Sequence, residues 1–166
     1  MRGPGWYGFI YPKNLDVMFA GKVLVPDIAS RASFAIDTDG EFAFTSGYGV
    51  ILKPEVRLSP LYLLGLLNSR LLDFFWKAVS TQLRGGFYRY FSQFIKQLPI
   101  YPIDLANRAE TTEYDATTAL VERILTAKKA DITADTTEWE REIDERVYRL
   151  YGLTSAEIAI VEGQSV

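Results

Sequence analysis

Residues 59–99 read SPLYLLGLLNSRLLDFFWKAVSTQLRGGFYRYFSQFIKQLP, and no other run limits the possible folds as much. Ser59 can accept hydrogen bonds from the free N–H groups of a starting helix, and Pro60 fits the first helical position, where no N–H is needed. Leu61, Leu64, Leu67 or Asn68, Leu71, Phe75 and Val79 then recur at helical spacing, while Leu63, Leu66, Leu72 and Phe74 widen the apolar surface beyond a single stripe. The pattern predicts one long buried helix over 60–79, lying beneath other structure. It ends at Arg84-Gly85-Gly86, after which FYRYFSQFIK passes over an extended or irregular surface.

The first 55 residues supply about four short strands to lie against that helix. Lys22 to Pro26 reads as a buried strand ended by proline, and Ala32 to Ile36 as the next. Asp37-Thr38-Asp39-Gly40 has turn chemistry, so Glu41 to Thr45 is expected to return as the second arm of a hairpin. Ser46-Gly47-Tyr48-Gly49 permits a bulge or bend before a strand at Val50-Ile51-Leu52. Beyond Pro102 the composition changes. Asn107 to Glu113 is a polar linker, Ala116 to Lys129 a surface helix, and Thr137-Glu138-Trp139-Glu140 opens a helix whose inward stripe is Trp139, Ile143, Val147 and Leu150. Thr154-Ser155-Ala156-Glu157 caps a last short helix. The expected fold is α+β: a small twisted sheet or partial barrel from residues 7–57 packed on the long buried helix, followed by a helical C-terminal tail.

The run LLGLLNSRLLDFFWKAVSTQLRGGFYRYFSQFIKQLPI resembles the TaqI-like C-terminal target-recognition domain of type IIG restriction-modification enzymes and related N6-adenine DNA methyltransferases. YPKNLDVMFAGKVLVPDIASRASFAIDTDGEFAFTSGYGVILKP and EIDERVYRLYGLTSAEIAIVEG resemble the same family. The resemblance implies a specificity module spanning 1–105 and an acidic helical spacer or docking tail spanning 106–166. It also implies two partners: double-stranded DNA, and a DNA methyltransferase or endonuclease domain or subunit. The catalytic parts of such enzymes are not written here. No Asn-Pro-Pro-Tyr-like tetrapeptide occurs, and after Pro26-Asp27 the stretch Glu41-Phe42-Ala43 has alanine where the nuclease pattern needs lysine. Three origins stay open: a truncated gene product, a split-gene subunit, or a degenerate remnant that folds yet binds nothing.

With no cysteine and no histidine, the chain lacks thiolate and imidazole, and with them disulfides, zinc-thiolate sites and the usual general base. No cofactor, no metal and no catalytic residue are expected, and no membrane segment; the expected location is cytoplasmic. The net charge of −3 hides an asymmetry: residues 1–100 hold 11 Lys and Arg against 7 Asp and Glu, whereas residues 101–166 hold 7 against 14. A basic body suited to tracking phosphates is thus joined to an acidic tail.

Arginine can read the guanine edge bidentately or pair with phosphate, lysine mostly pairs with phosphate, and a glycine bend lets backbone N–H groups approach the duplex. The candidate DNA-contacting residues are therefore Lys13, Lys22, Ser30, Arg31, Ser46, Tyr48, Lys53, Arg84, Gly85, Gly86, Tyr88 and Arg89. Of these, Lys13, Lys22, Lys53 and Arg84 are assigned to phosphates, and Arg31 and Arg89 to bases. A competing reading makes Tyr88, Tyr90 and Phe91 core aromatics and pairs Arg70, Arg84 or Lys77 with Asp73. A second reading of function stays open beside DNA recognition: a protein-protein interaction or dimerisation module acting through the C-terminal helices.

Overall fold

A computed structural model gives the architecture and describes Asn14 and residues 17–164. The elements in order are β1 (Lys22–Val25), β2 (Ile28–Ala29), β3 (Ala35–Asp37), β4 (Tyr48–Val50), α1 (Pro60–Asn68), α2 (Arg70–Val79), β5 (Tyr88–Arg89), α3 (Ser92–Ile95), α4 (Arg108–Ala130), α5 (Thr137–Tyr151) and α6 (Ser155–Val161). The fold is α+β, with a three-stranded antiparallel sheet ordered β3-β1-β4 and a two-stranded sheet made by β2 and β5.

β1 is the central strand because it buries Val23 and Val25 and finds a partner on each edge: Val23 faces Ile36 of β3 and Val50 of β4. The expected hairpin between Ala32–Ile36 and Glu41–Thr45 does not form. Its N–H groups are claimed by a side chain instead, since Glu41 and Phe42 donate to the Asp37 carboxylate at 3.0 Å each. A backbone donor satisfied by a neighbouring Asp has no need of a ladder. The predicted strand at 50–52 lies two residues earlier, at Tyr48–Val50.

The apolar run 60–79 is helical at both ends but broken at Ser69. Ser59 and Pro60 start α1 as expected, with the Leu61 N–H donating to Ser59 Oγ at 3.1 Å. Ser69 then takes an extended conformation (φ −67°, ψ 152°), donates its hydroxyl to the Leu66 carbonyl at 2.7 Å and accepts from the Leu72 N–H at 3.3 Å. One buried serine therefore ends α1 and caps α2, satisfying groups that a helix terminus otherwise leaves open. Six consecutive residues of α1, Tyr62 to Leu67, are buried, which is the all-round burial its composition demands.

The tail completes the same core. α4 begins at Arg108 with Asn107 as its cap, so it includes most of the expected linker. Gly65 lets α4 approach α1 closely: a Cβ there would stand 3.0 Å from both Thr117 Cγ2 and Val121 Cγ2. Ile143 and Val147 of α5 join Leu64, Leu66 and Leu72 in one continuous cluster, with Trp139 and Leu150 packed at its edge. The inward stripe of α5 is thus spent on the body of the same chain. The expected capping box at Thr154 and Glu157 forms in full.

Candidate nucleic-acid interface

The sequence FYRYF is sorted by the two-residue period of an extended strand. Tyr90 is fully buried, stacked on Trp76 with ring centroids 4.3 Å apart and planes 11° off parallel, and Phe34 and Phe94 meet this pair edge-on. Tyr88 packs against the same core. Alternation then turns Phe87 and Arg89 to the other face, where Phe87 is 44% exposed, while Phe91, just before α3, packs against the core and takes the Arg89 guanidinium 4.9 Å over its ring. Burial also raises the Tyr90 hydroxyl well above its ordinary pKa. It is a neutral core group.

β5 is one arm of a hairpin. Leu83 donates to the Phe87 carbonyl at 2.7 Å, Arg89 donates to the Thr81 carbonyl at 3.2 Å, and Gln82 bridges to Tyr88. Arg84, Gly85 and Gly86 form the exposed tip, with φ of 84° and 78° at the two glycines, a conformation that any residue with a Cβ resists. On its other edge β5 pairs antiparallel with β2, setting Ile28 opposite Arg89 and Ala29 opposite Tyr88. Ser30 and Arg31, both exposed, leave β2 at the end of the pair that leads toward the tip. Tyr90 donates to the Asp27 carbonyl at 2.9 Å, which fastens the base of the hairpin to the bend between β1 and β2. The 46–48 loop reaches that same bend, since a Cβ on Gly47 would meet Val25 O at 2.5 Å and lie 3.6 Å from the Asp27 N.

Nine of the twelve candidate residues therefore lie on the hairpin, on its β2 partner or at the bend by its base: Ser30, Arg31, Ser46, Tyr48, Arg84, Gly85, Gly86, Tyr88 and Arg89. Within that group Tyr88, Arg89 and Tyr48 are half-buried. The other three are separated from it. Lys53 is exposed, but it follows β4 away from the bend, toward the opposite end of β1. Lys13 lies outside the described residues. Lys22 is a correction: its ammonium is 2.6 Å from Asp37 Oδ2, both side chains are 2% exposed, and the two residues face each other across the β1–β3 ladder. Hydrogen bonds from Lys22, and from Phe42 and Glu41, hold the Asp37 carboxyl below the usual carboxylate range. That ammonium has no surface to offer a phosphate.

Charge pairing distinguishes the remaining cations. Among the described residues no carboxylate lies within ion-pair distance of Arg31, Lys53, Arg57, Arg84, Arg89 or Lys96. Lys77 is held by Asp73 at 2.6 Å, and Arg70 by Asp144 at 3.3 Å. In α5, Arg141 pairs with Glu138 and Glu145, while Arg146 and Arg149 share Glu113. Burial raises the Glu113 carboxyl and the two arginines more than offset it, so it stays below its ordinary value. Arg57 and Lys96 were not singled out from sequence. A single exposed cation next to apolar residues, as Arg57 is between Val56 and Leu58, gives no pattern that marks it.

The described residues hold no group of three acidic side chains fit to bind a metal. Asp27 sits in the β1–β2 bend, where its carbonyl serves the hairpin.

The model of the TaqI-like C-terminal specificity domain matches residues 5–100. The chain belongs to this family. The match takes in both sheets, α1, α2 and α3, including the whole hairpin edge, and stops before α4. No curated protein matches the chain. A specificity domain selects sequence and leaves the chemistry to other domains, in keeping with the arrangement of the edge, which offers cations, hydroxyls and backbone donors. No helix among the described residues is long and apolar enough to cross a membrane.

Proposed function

We propose that this chain recognises double-stranded DNA sequence-specifically, as the specificity module of a type IIG-like restriction-modification system whose methyl transfer and cleavage are carried out by a separate domain or subunit in the cytoplasm. One observation carries the reading: the edge built by β2, the 84–86 tip and β5 brings together Arg31, Arg84 and Arg89, which, like Arg57, Arg108 and Arg123, have no carboxylate partners among the described residues, whereas Arg70, Arg141, Arg146 and Arg149 are paired. Unpaired guanidinium groups on a rigid strand pair suit a polyanion with a readable edge. Arg84 at the tip would hold a phosphate. Arg31 and Arg89, with Ser30 and Ser46 beside them, would face the bases.

The alternative of a dimerisation module has to use other surfaces than Ile143 and Val147, which are buried within this chain against α4, α1 and α2. The test is selection of duplexes from a randomised pool by the chain at low salt. The expected result is enrichment of a defined sequence that Arg31→Ala or Arg89→Ala alters at single positions. Retention of no duplex, or of all duplexes equally, would contradict the proposal.

A further inference from the structure

Phe87 is the residue of the hairpin that neither the core nor the arginine contacts explain. It is 44% exposed although its two strand neighbours on the inner face, Tyr88 and Tyr90, are taken into the core. Its backbone is fixed, since its carbonyl accepts from Leu83 at 2.7 Å within the hairpin ladder. Its ring lies back along the tip, with Cδ2 3.6 Å from where a Gly85 Cβ would stand. The tip itself is two glycines with positive φ, so no side chain on Gly85 or Gly86 widens it. Ile28, 43% exposed, is opposite Arg89 and hence diagonal to Phe87 on the same face.

The outer face is thus a small apolar ridge, Phe87 and Ile28, beside Arg89 and below the Arg84 tip. An apolar ridge on its own would suit a protein groove. Set beside arginines that lack carboxylate partners among the described residues, it fits a ligand that presents anions on either side of an apolar stack, which is the section of a duplex at a base step.

We propose that Phe87 is a wedge that enters a base step of the bound duplex, unstacking it locally while Arg84 holds a phosphate of the deformed step. This rests on the DNA-recognition reading and adds to it a mode of specificity: steps that unstack easily, such as pyrimidine-purine steps, are favoured at the position facing Phe87. The rigid ladder behind the ring is what lets it push without folding back.

The experiment uses the full chain and a duplex enriched by it from a randomised pool, with 2-aminopurine placed in turn at successive positions. The wedge predicts a several-fold rise in 2-aminopurine fluorescence at one step, lost in Phe87→Ala and retained in Phe87→Trp. It also predicts that Phe87→Ala weakens binding of the enriched duplex by about 5- to 150-fold, the range spanned by loss of one base-aromatic stack, with the salt dependence unchanged. Circular dichroism checks that the variants fold, which the exposure of Phe87 favours. A wild-type complex with no responsive position, or a Phe87→Ala protein with the same rise, would overturn the wedge and leave DNA recognition standing. A wild-type chain that retains no duplex at low salt would overturn both.

Discussion

Lys22 and Arg84 carry the same charge in opposite settings. The Lys22 ammonium lies inside, bound to Asp37 across the ladder. Arg84 stands at an exposed glycine tip. Lys22→Ala should lower the thermal denaturation midpoint, because it leaves the Asp37 carboxylate without its cation, and should leave the salt dependence of DNA binding unchanged. At the outer face, Arg89→Ala should cost about 1–3 kcal/mol of discrimination at one position of the target, read from competition between single-base variants of the duplex. Sequence distinguished these residues only partly. The glycine pair and the alternating FYRYF were legible as a bend beside aromatic and basic residues. Which aromatics face inward depends on the strand's phase, and that phase is set by Trp76 stacking on Tyr90, a contact between residues of separate elements. The burial of Lys22 likewise follows from its register with Asp37, which no local pattern discloses.

The elements were legible where one signal dominated and obscure where two competed. The start of α1 and the capping box of α6 follow from local chemistry and form as expected. At Ser69 the apolar period argues for continuing the helix and the serine argues for ending it, and the serine wins because its hydroxyl serves both flanking helices. Ser69→Ala should therefore destabilise the fold by about 0.5–2 kcal/mol in chemical denaturation, the usual cost of a lost cap. α2 has a second anchor at the same end: the Arg70 N–H donates to Asp144 Oδ1 of α5 at 2.8 Å. Burial pushes the Asp144 carboxyl up to about 6, against the opposing hydrogen bond and charge of Arg70. A carboxyl raised in the folded state binds its proton more tightly there than in the unfolded chain, so its contribution to stability is complete below the ordinary carboxylate pKa near 4 and is lost as pH rises through about 6. Asp144→Asn keeps an acceptor for the Arg70 N–H and removes the charge. It should flatten the stability profile between pH 4 and 6 and raise stability at pH 8 by on the order of 2 kcal/mol; an Asn variant less stable at pH 8 would contradict this.

At the scale of the whole molecule, the acidic tail is the second half of the core. Tyr114 of α4 accepts from the Ser59 N–H at 2.8 Å, and Tyr151 of α5 donates to the Pro99 carbonyl and accepts from the Tyr101 N–H at 3.0 Å. The two ends of the leucine-rich stretch are both held by tail tyrosines. Gly65 removes the side chain that would keep α4 from α1, and Gly65→Leu should destabilise the protein by about 1–3 kcal/mol or more through overpacking. The charge asymmetry of the two halves was plain in the sequence and suggested two separable parts. The apolar faces that join them, Thr117 and Val121 on Gly65 and Ile143 and Val147 on α1 and α2, were not readable as mates, since a helix stripe does not name its partner. We propose that the tail braces the body while the hairpin edge meets DNA, so that unfolding is a single transition by fluorescence and by circular dichroism.

Whether the hairpin edge engages phosphates is measured most directly by the salt dependence of duplex affinity. For the intact chain, the logarithm of the association constant should fall steeply and linearly with the logarithm of salt concentration, and Arg84→Ala should make that slope shallower by about one while weakening binding to every sequence alike. A flat response in the wild-type chain, or an Arg84→Ala protein with an unchanged slope, would contradict it.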